Sequence, residues 1–415
     1  MEEARQHPAL EPIRTTCCIA GGGPAGMMLG FLLARAGVDV VVLEKHADFL
    51  RDFRGDTIHP STLELMHELG LLDEFLKRPH QEVRCLSGQI GDTRVTIADF
   101  SHVPGRCKFI ALMPQWDFLN FIAEHAKTYP GFQLHMSSEV TGLIEKEGRI
   151  AGVRVETPTG PREIHANLVV GADGRHSTVR AQAQLAVDDF GAPIDVLWFR
   201  LSRHESDESQ TFGHVEAGRM LVMLNRGDYW QCAYVIAKGS LEAIRRAGLD
   251  SFRNDIVALS PFLLGRTGEL ATWDDIKLLT VTIDRLRIWF KPGLLCIGDA
   301  AHAMSPIAGV GINLAVQDAV AAANILAAPL KTGTAGPDHL KAVQDRREFP
   351  TRVTQRMQVL IQDRLITRVL KSRGKLQAPW PVKLLDRIPA LQRIPAWLVG
   401  VGVRPEHVRT PDAGG

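Results

Sequence analysis

The chain has 415 residues, 45% of them hydrophobic and 23% charged, with a formal net charge of +1 at pH 7, an ordinary globular composition with length for two or three domains. No stretch approaches eighteen consecutive apolar residues, and the start "MEEARQHPALEP" lacks the basic and apolar parts of a secretory signal, so a cytoplasmic protein is expected. The six cysteines, Cys17, Cys18, Cys85, Cys107, Cys232 and Cys296, include no C-x-x-C pair, which speaks against a metal centre or a redox dithiol and for reduced core thiols.

In chain order, "TTCCIA" reads as a buried strand, "GGGPAG" as a tight turn, "MMLGFLLARAG" as a helix ending near Gly37, and "VDVVVLE" as a second buried strand. Near-continuous apolar strands flanking a helix predict a βαβ unit of a covered parallel sheet. A helix with a Ser/Thr cap is expected over Ser61–Leu76. From Val83 to about Ile110 the period becomes two, with a hairpin around Gly91–Asp92. A helix over Trp116–Lys127, strands near Gln133–Ile144 and Gly152–Thr157, and a third apolar strand in "HANLVVGADG" follow. Ile194–Arg203, Gly218–Asn225, Tyr229–Ala237 and Ile276–Ile283 read as strands of a second sheet. After "LLCIGDAAH" the pattern is helical through Leu326, and again from Asp338 to Leu370. The expected architecture is α/β. A discontinuous Rossmann-type nucleotide-binding domain (12–80, 105–180, 284–335) is interleaved with a β-rich substrate domain (81–104, 181–283) and followed by a helical C-terminal region (336–415).

Gly21-Gly22-Gly23-Pro24-Ala25-Gly26 is G-x-G-x-x-G between a strand and a helix. In that setting the first glycine permits the turn, the second lets pyrophosphate approach the backbone, and the third lets helix and strand pack closely. The helix N-terminus offers N–H groups and a favourable dipole to phosphate. Glu44, 18 residues beyond Gly26, ends the second strand where an acid can bind ribose hydroxyls. This predicts dinucleotide binding and leaves FAD and NAD unseparated. "GADGRHSTVR" at 171–180 places Asp173 after a buried strand, before a cluster containing Arg175, His176, Ser177 and Arg180. "GDAAHAMSPIAGVGINLAVQD" at 298–318 runs from an apolar strand through an aspartate and small residues into a helix.

Together "GGGPAG", "GADGRHSTVR" and "GDAAHAMSPIAGVGINLAVQD" resemble, in order and spacing, three fingerprints of the class A flavoprotein monooxygenases, over roughly residues 15–330. This family includes para-hydroxybenzoate hydroxylase and the ubiquinone-biosynthesis hydroxylases. The resemblance implies a glutathione-reductase-like FAD domain and one FAD, with Gly21, Gly23, Pro24, Ala25, Gly26, Glu44 and Lys45 around its ADP part. It further implies that Asp299, next to Gly298, binds the ribityl chain, and that Pro306, Gly309 and Gly311 let backbone lie against the flavin. The helix beginning near Ile312 and Asn313 then points its positive end at the pyrimidine side of the ring. Arg54, Gln115, Val140 and Asp173 match further family positions at the cofactor. The chemistry implied is reduction of FAD by transiently bound NAD(P)H. Oxygen then adds at flavin C4a, giving a hydroperoxide that attacks an aromatic or quinone-like molecule.

No general base is assigned. Candidate substrate contacts are Trp198 and Arg200, which share a strand face, with His214, Tyr229, Gln231 and His59. Alternatives are a flavin-dependent reductase or halogenase, the latter disfavoured by the missing W-x-W-x-I-P signature, and a non-catalytic flavin-fold binding module. The segment 341–410 carries 15 Lys/Arg against 5 Asp/Glu, a balance of +10, which leaves −9 for the remainder. Contact between basic tail and acidic body, or an oligomer interface, is the simple reading. A membrane surface met by "PWPVKLLDRIPALQRIPAWLVGVGV" is the alternative, and nucleic acid is not expected because aromatic residues are not interleaved with the basic ones.

Overall fold

Apolar strands without alternation need cover on both faces, and the computed structural model, which describes residues 11–50, 57–207 and 211–414, shows that cover. Ile13–Ala20 pairs in parallel with Val40–Leu43 on one side and Gly160–Gly171 on the other. Phe132–His135 and Leu294–Cys296 extend the sheet in parallel on the two sides, and Phe290–Lys291 adds an antiparallel edge beyond Leu294–Cys296. The helix Pro24–Arg35 buries Met27 to Ala34 around its whole circumference, as a helix packed between a sheet and other helices must. It lies against Gly311–Lys331 and Gln115–Ala126. Gly311–Lys331 belongs to the helical stretch that is apolar enough to span a bilayer, but 78% of that apolar window is buried in the protein.

A second sheet of seven strands runs in the order 277–279, 194–202, 229–237, 219–225, 212–216, 85–90 and 93–99. Alternation along it separates two apolar faces. Leu197, Phe199 and Leu201 point to a core shared with Trp230, Phe252 and Ile256, while Ile194, Val196 and Trp198 face the first sheet across a cleft.

The structure departs from the sequence reading in particular places. The helix expected over Ser61–Leu76 is Pro60–Glu68, capped by extended His59 with no side-chain bond; Gly70, at φ +74°, precedes a separate turn at Leu72–Phe75. Thr62 does not cap, because its hydroxyl donates to Asn313 Oδ1 at 2.8 Å. The strand Phe212–Glu216, with polar and glycine residues and no clean alternation, was not foreseen; it pairs in parallel with Cys85–Ile90. The helix expected directly after "LLCIGDAAH" begins only at Gly311. Ala303 and Ser305 are instead held in part by glutamines of the long helix Pro337–Ile361 and of the π-turn that follows it. Gln355 Nε2 donates to the Ala303 carbonyl at 3.0 Å, Gln358 bonds both the N–H and the carbonyl of Ser305, and Gln362 donates to Ser305 Oγ at 2.6 Å.

The C-terminal region folds back on the body. After the π-turn Gln362–Ile366, helices Trp380–Arg387 and Pro389–Gly400 pack on the 85–99 hairpin, with Ala396 buried beside Phe100 and Asp386 accepting the Thr96 N–H at 3.0 Å. Lys375 pairs with Asp92 at 2.6 Å. Trp380, at the cleft wall, and Ile394 are left 76% and 58% exposed. The last described residues return to the first helix, where Arg35 meets Asp412 at 3.3 Å and the Ala413 N–H bonds the Arg35 carbonyl.

Candidate functional site

A cleft of about 1570 Å³ runs from the first glycine loop to the inner face of the seven-stranded sheet. The three glycines of the loop differ in what surrounds them. A Cβ on Gly21, at φ +107°, would stand 2.3 Å from the Ala172 carbonyl oxygen, and one on Gly26 would stand 1.9 Å from that of Gly21. A Cβ on Gly23 would meet nothing within 4 Å and would project into the open cradle at the helix start. Glu44 is 8% exposed; its two oxygens accept the N–H groups of Gly22 (3.1 Å) and His46 (3.0 Å), so it also holds the shape of the loop.

Pro24, Ala25, Lys45, Gln115, Val140 and Asp173 line the same half of the cleft. Asp173 receives Ser177 Oγ at 2.5 Å and the Val179 N–H at 3.1 Å. Burial nevertheless pushes its carboxyl above the ordinary range. Asp299 lies in the wall 3.6 Å from Arg175. Pro306, Gly309, Gly311 and Ile312 complete this side. Gly311 is open to the cleft, with nothing within 4 Å of a Cβ, whereas Gly309 has a reason within the protein. It sits at φ +62°, and a Cβ there would lie 2.2 Å from Thr57 Oγ1. Gly26, Gly298 and Asn313 stand behind the wall rather than on it. Asn313 spends its amide on His59, Thr62, Thr57 and Gly309, pinning the loop to the chain before the helix Pro60–Glu68. Arg54 lies outside the described residues.

Beneath the 298–299 turn, fully buried Asp318 accepts from the Gly298 N–H (3.0 Å), His302 Nε2 (2.6 Å) and Arg347 Nε (2.9 Å). Burial opposes ionisation of Asp318, but the charges of His302 and Arg347 and their hydrogen bonds outweigh it and hold the carboxyl below its usual range. Arg347 also reaches Glu406 at 3.3 Å, which ties the C-terminal segment to the turn.

Of the six candidate substrate contacts, Trp198 and Gln231 line the cleft. Gln231 accepts from Arg226 Nε at 2.9 Å through its carbonyl, which leaves its NH₂ to donate elsewhere. The other four correct the sequence reading. Arg200 is exposed beyond the rim and lies 4.3 Å from the Tyr229 ring centroid, so those two residues satisfy each other outside the cleft. His214 points to the opposite sheet face, because it alternates with cleft-lining Gly213 and Val215.

His59 is buried behind the wall, with Nδ1 at 2.7 Å from the Val399 carbonyl, and burial brings its pKa down to about 4. A lowered histidine pKa means that the unfolded chain takes up a proton below about pH 6.5 while the native protein does not. Stability is therefore expected to fall by about 2–3 kcal/mol as pH drops from 6.5 toward 4. Thermal melts across that window check this, since His59→Gln should flatten the slope.

Sequence reasoning missed the contribution of the C-terminal region: Ile361, Arg364, Leu365, Arg368 and Trp380 all line the cleft. The signal was present as an i, i+3, i+4, i+7 face of mixed apolar and arginine residues.

A long nucleotide cradle, a helix N-terminus facing it, and an apolar chamber beyond define a dinucleotide-dependent enzyme acting on a second molecule, and the open positions at Gly23 and Gly311 fit FAD. The FAD binding domain family matches residues 14–357. The chain is 30% identical over 393 residues to 6-methylpretetramide 4-monooxygenase of Streptomyces rimosus, covering 93% of this chain and 92% of that one. It is 30% identical over 315 residues to a rifampicin monooxygenase of Streptomyces venezuelae, covering 72% of this chain and 61% of that enzyme. Among solved structures, PqsL of P. aeruginosa in complex with 2-aminobenzoylacetate superposes with a TM-score of 0.75 at 21% identity, covering 86% and 98% of the two chains. Anhydrotetracycline hydroxylase OxyS of Streptomyces rimosus gives 0.72 at 23%, covering 97% and 78%. The chain belongs to the FAD-binding family of class A flavoprotein monooxygenases, and it is an FAD-dependent monooxygenase.

Proposed function

We propose that this monooxygenase consumes NAD(P)H and O₂ to hydroxylate an aromatic or quinone-like small molecule, held between the 305–312 loop and the inner face of the seven-stranded sheet. The cofactor half is assigned to the glutathione-reductase-like Rossmann type, on its parallel sheet and glycine loop. The observation that carries the proposal is the continuity of one cleft, from the Gly23 cradle past Gly311 to Ile194, Val196, Val222 and Ala233. When bound, FAD supplies the electron transfer and the activation of oxygen.

The protein's own residues do the rest. Gly21 permits the turn and Gly23 lets phosphate reach the start of Pro24–Arg35, and Asp299 offers a carboxylate to sugar hydroxyls. The N-terminus of Gly311–Lys331 stabilises negative charge placed against it. The apolar wall excludes water from the reacting centre, and the Gln231 NH₂ orients an oxygen of the substrate. The nicotinamide nucleotide enters transiently and leaves.

The test is oxygen-isotope labelling. Oxidation of NAD(P)H by the protein alone is expected to be slow and to be accelerated by members of a panel of phenols and naphthols, with one atom of labelled O₂ in the product. Stimulated turnover that reduces the compound and incorporates no label would instead establish a reductase.

A further inference from the structure

The exposed residues of the two C-terminal helices fall at helical spacing. In Trp380–Arg387, Trp380 and Leu384 form one row, continued by exposed Ile388, with Lys383 and Arg387 in the row beside it. In Pro389–Gly400 the buried row is Gln392, Ala396 and Gly400, which leaves Arg393, Ile394 and Trp397 outward. Gln392 Nε2 donates to the Leu385 carbonyl at 3.1 Å and so joins the two helices. Both pack on the strand Thr93–Asp99, and their exposed rows share the side away from it.

Charge on this face is of one sign. Lys383, Arg387 and Arg393 are exposed, and no side-chain hydrogen bond or ion pair joins them to another described residue. Asp386 is the sole acid between residues 376 and 404, and its carboxylate accepts the Thr96 N–H at 3.0 Å. A basic tail paired with an acidic body thus describes Lys375, which meets Asp92, but not these three cations. Among them lie five exposed large apolar side chains, Trp380, Leu384, Ile388, Ile394 and Trp397. The same segment borders the cleft. Leu376, Pro379, Trp380, Pro381 and Val382 are on its wall, and so are Ile90 and Ile97 of the hairpin under the helices.

We infer that the outer face of Trp380–Arg387 and Pro389–Gly400 docks on an anionic lipid surface, which brings the mouth of the cleft to the membrane. Amphipathic helices carrying Trp, Leu and Ile beside Lys and Arg lie in the bilayer interface, with apolar side chains in the acyl boundary and cations among the head groups. Tryptophan favours that depth. A second copy of the chain fits less well. A two-fold contact puts the same patch on both partners, and here it would set unpaired cations against unpaired cations. An apolar substrate dissolved in the bilayer reaches the chamber past Trp380 without crossing water.

The test is sedimentation of the FAD-loaded protein with vesicles, either of phosphatidylcholine alone or of equal parts phosphatidylcholine and phosphatidylglycerol. At low salt it should pellet with the mixed vesicles, less with the neutral ones, and less with both as salt is added. Lys383→Gln/Arg387→Gln/Arg393→Gln should weaken partition into the mixed vesicles by about a hundredfold. Ile394→Ser/Trp397→Ser should weaken it at least about tenfold, a loss that adsorption through surface cations alone would not produce. None of these five residues is on the cleft wall, so both variants should keep wild-type flavin content and melting temperature. Failure of the wild type to pellet with the mixed vesicles at low salt, or wild-type partition of either variant, overturns the inference. Self-association that Ile394→Ser/Trp397→Ser abolishes, without vesicle binding, would assign the face to a second copy instead. Because sedimentation involves no turnover, any of these results leaves the labelling experiment to decide the hydroxylase reading separately.

Discussion

Gly23→Val should yield a folded protein that cannot hold FAD. Gly23 has φ −74° and ψ −175°, a conformation any residue adopts, and an added Cβ meets no protein atom within 4 Å. The valine therefore strains nothing in the protein itself and fills only the cradle, where the second glycine of the motif lets phosphate reach backbone N–H groups. Purified variant should be colourless, with wild-type far-ultraviolet circular dichroism. The neighbouring glycines behave differently. Gly21→Val and Gly26→Val drive a side chain into backbone oxygens, at Ala172 and at Gly21, and should fail to fold. Asp299→Ala should give partial occupancy, since it removes one polar contact rather than the space. Full flavin in Gly23→Val would contradict the placement of the pyrophosphate.

The second large effect is on stability. Asp318→Ala leaves the nearly inaccessible Arg347 and His302 without the carboxylate between them and orphans the Gly298 N–H. Removing one partner of a buried pair costs about 3–5 kcal/mol when the charge left behind has no other partner; Arg347 keeps Glu406 at 3.3 Å, which places the loss at the lower end of that range. The melting temperature should fall by several degrees, and flavin affinity should weaken as well, because the Gly298–Asp299 turn loses its anchor. The pH dependence has a definite sign. A carboxyl whose folded pKa lies below its unfolded value of about 3.9 stabilises the protein above that pH, and the contribution is lost as pH falls through the folded value. Wild type should therefore lose this advantage over Asp318→Ala in strong acid. A melting temperature unchanged at pH 7 would show the network to be dispensable.

Local patterns carried much of the cofactor half. Apolar strands around the glycine loop restrict the backbone enough to be read directly, whereas in the stretch from Gly298 to Gly311 the helical pattern was read too early. Less legible was what depends on residues far apart in the chain. Nothing local to Asn313 indicates that its amide would be consumed by residues near 57–62, and nothing local to Gly309 points to Thr57 as the neighbour that keeps it small. Alternation put Trp198 and Arg200 on one face correctly, but where the cleft stops along that face is set by the packing of strands and tail. The arginines at 364 and 368 were read only as part of a basic tail that contacts the body or an interface, and nothing local placed them on the cleft wall.

The parallel sheet also fixes when the chain can fold. Ile13–Ala20 has Val40–Leu43 beside it almost at once, yet its other neighbour is Gly160–Gly171, and that strand in turn waits for Leu294–Cys296. The helix that covers the first βαβ unit, Gly311–Lys331, comes later still, and the contacts of Arg35 with Asp412 come last. During synthesis, at about 5–20 residues per second, the earliest strands must therefore remain uncovered for most of the time the chain takes to emerge. Long-range parallel pairing is slow because loop closure must precede the contacts that reward it. Apolar Cys17 to Ala20 and Val40 to Leu43, buried in the finished protein, are thus the segments most open to intermolecular pairing in the nascent chain, and expression yield should depend on chaperone supply and growth temperature more than on the stability of the folded enzyme.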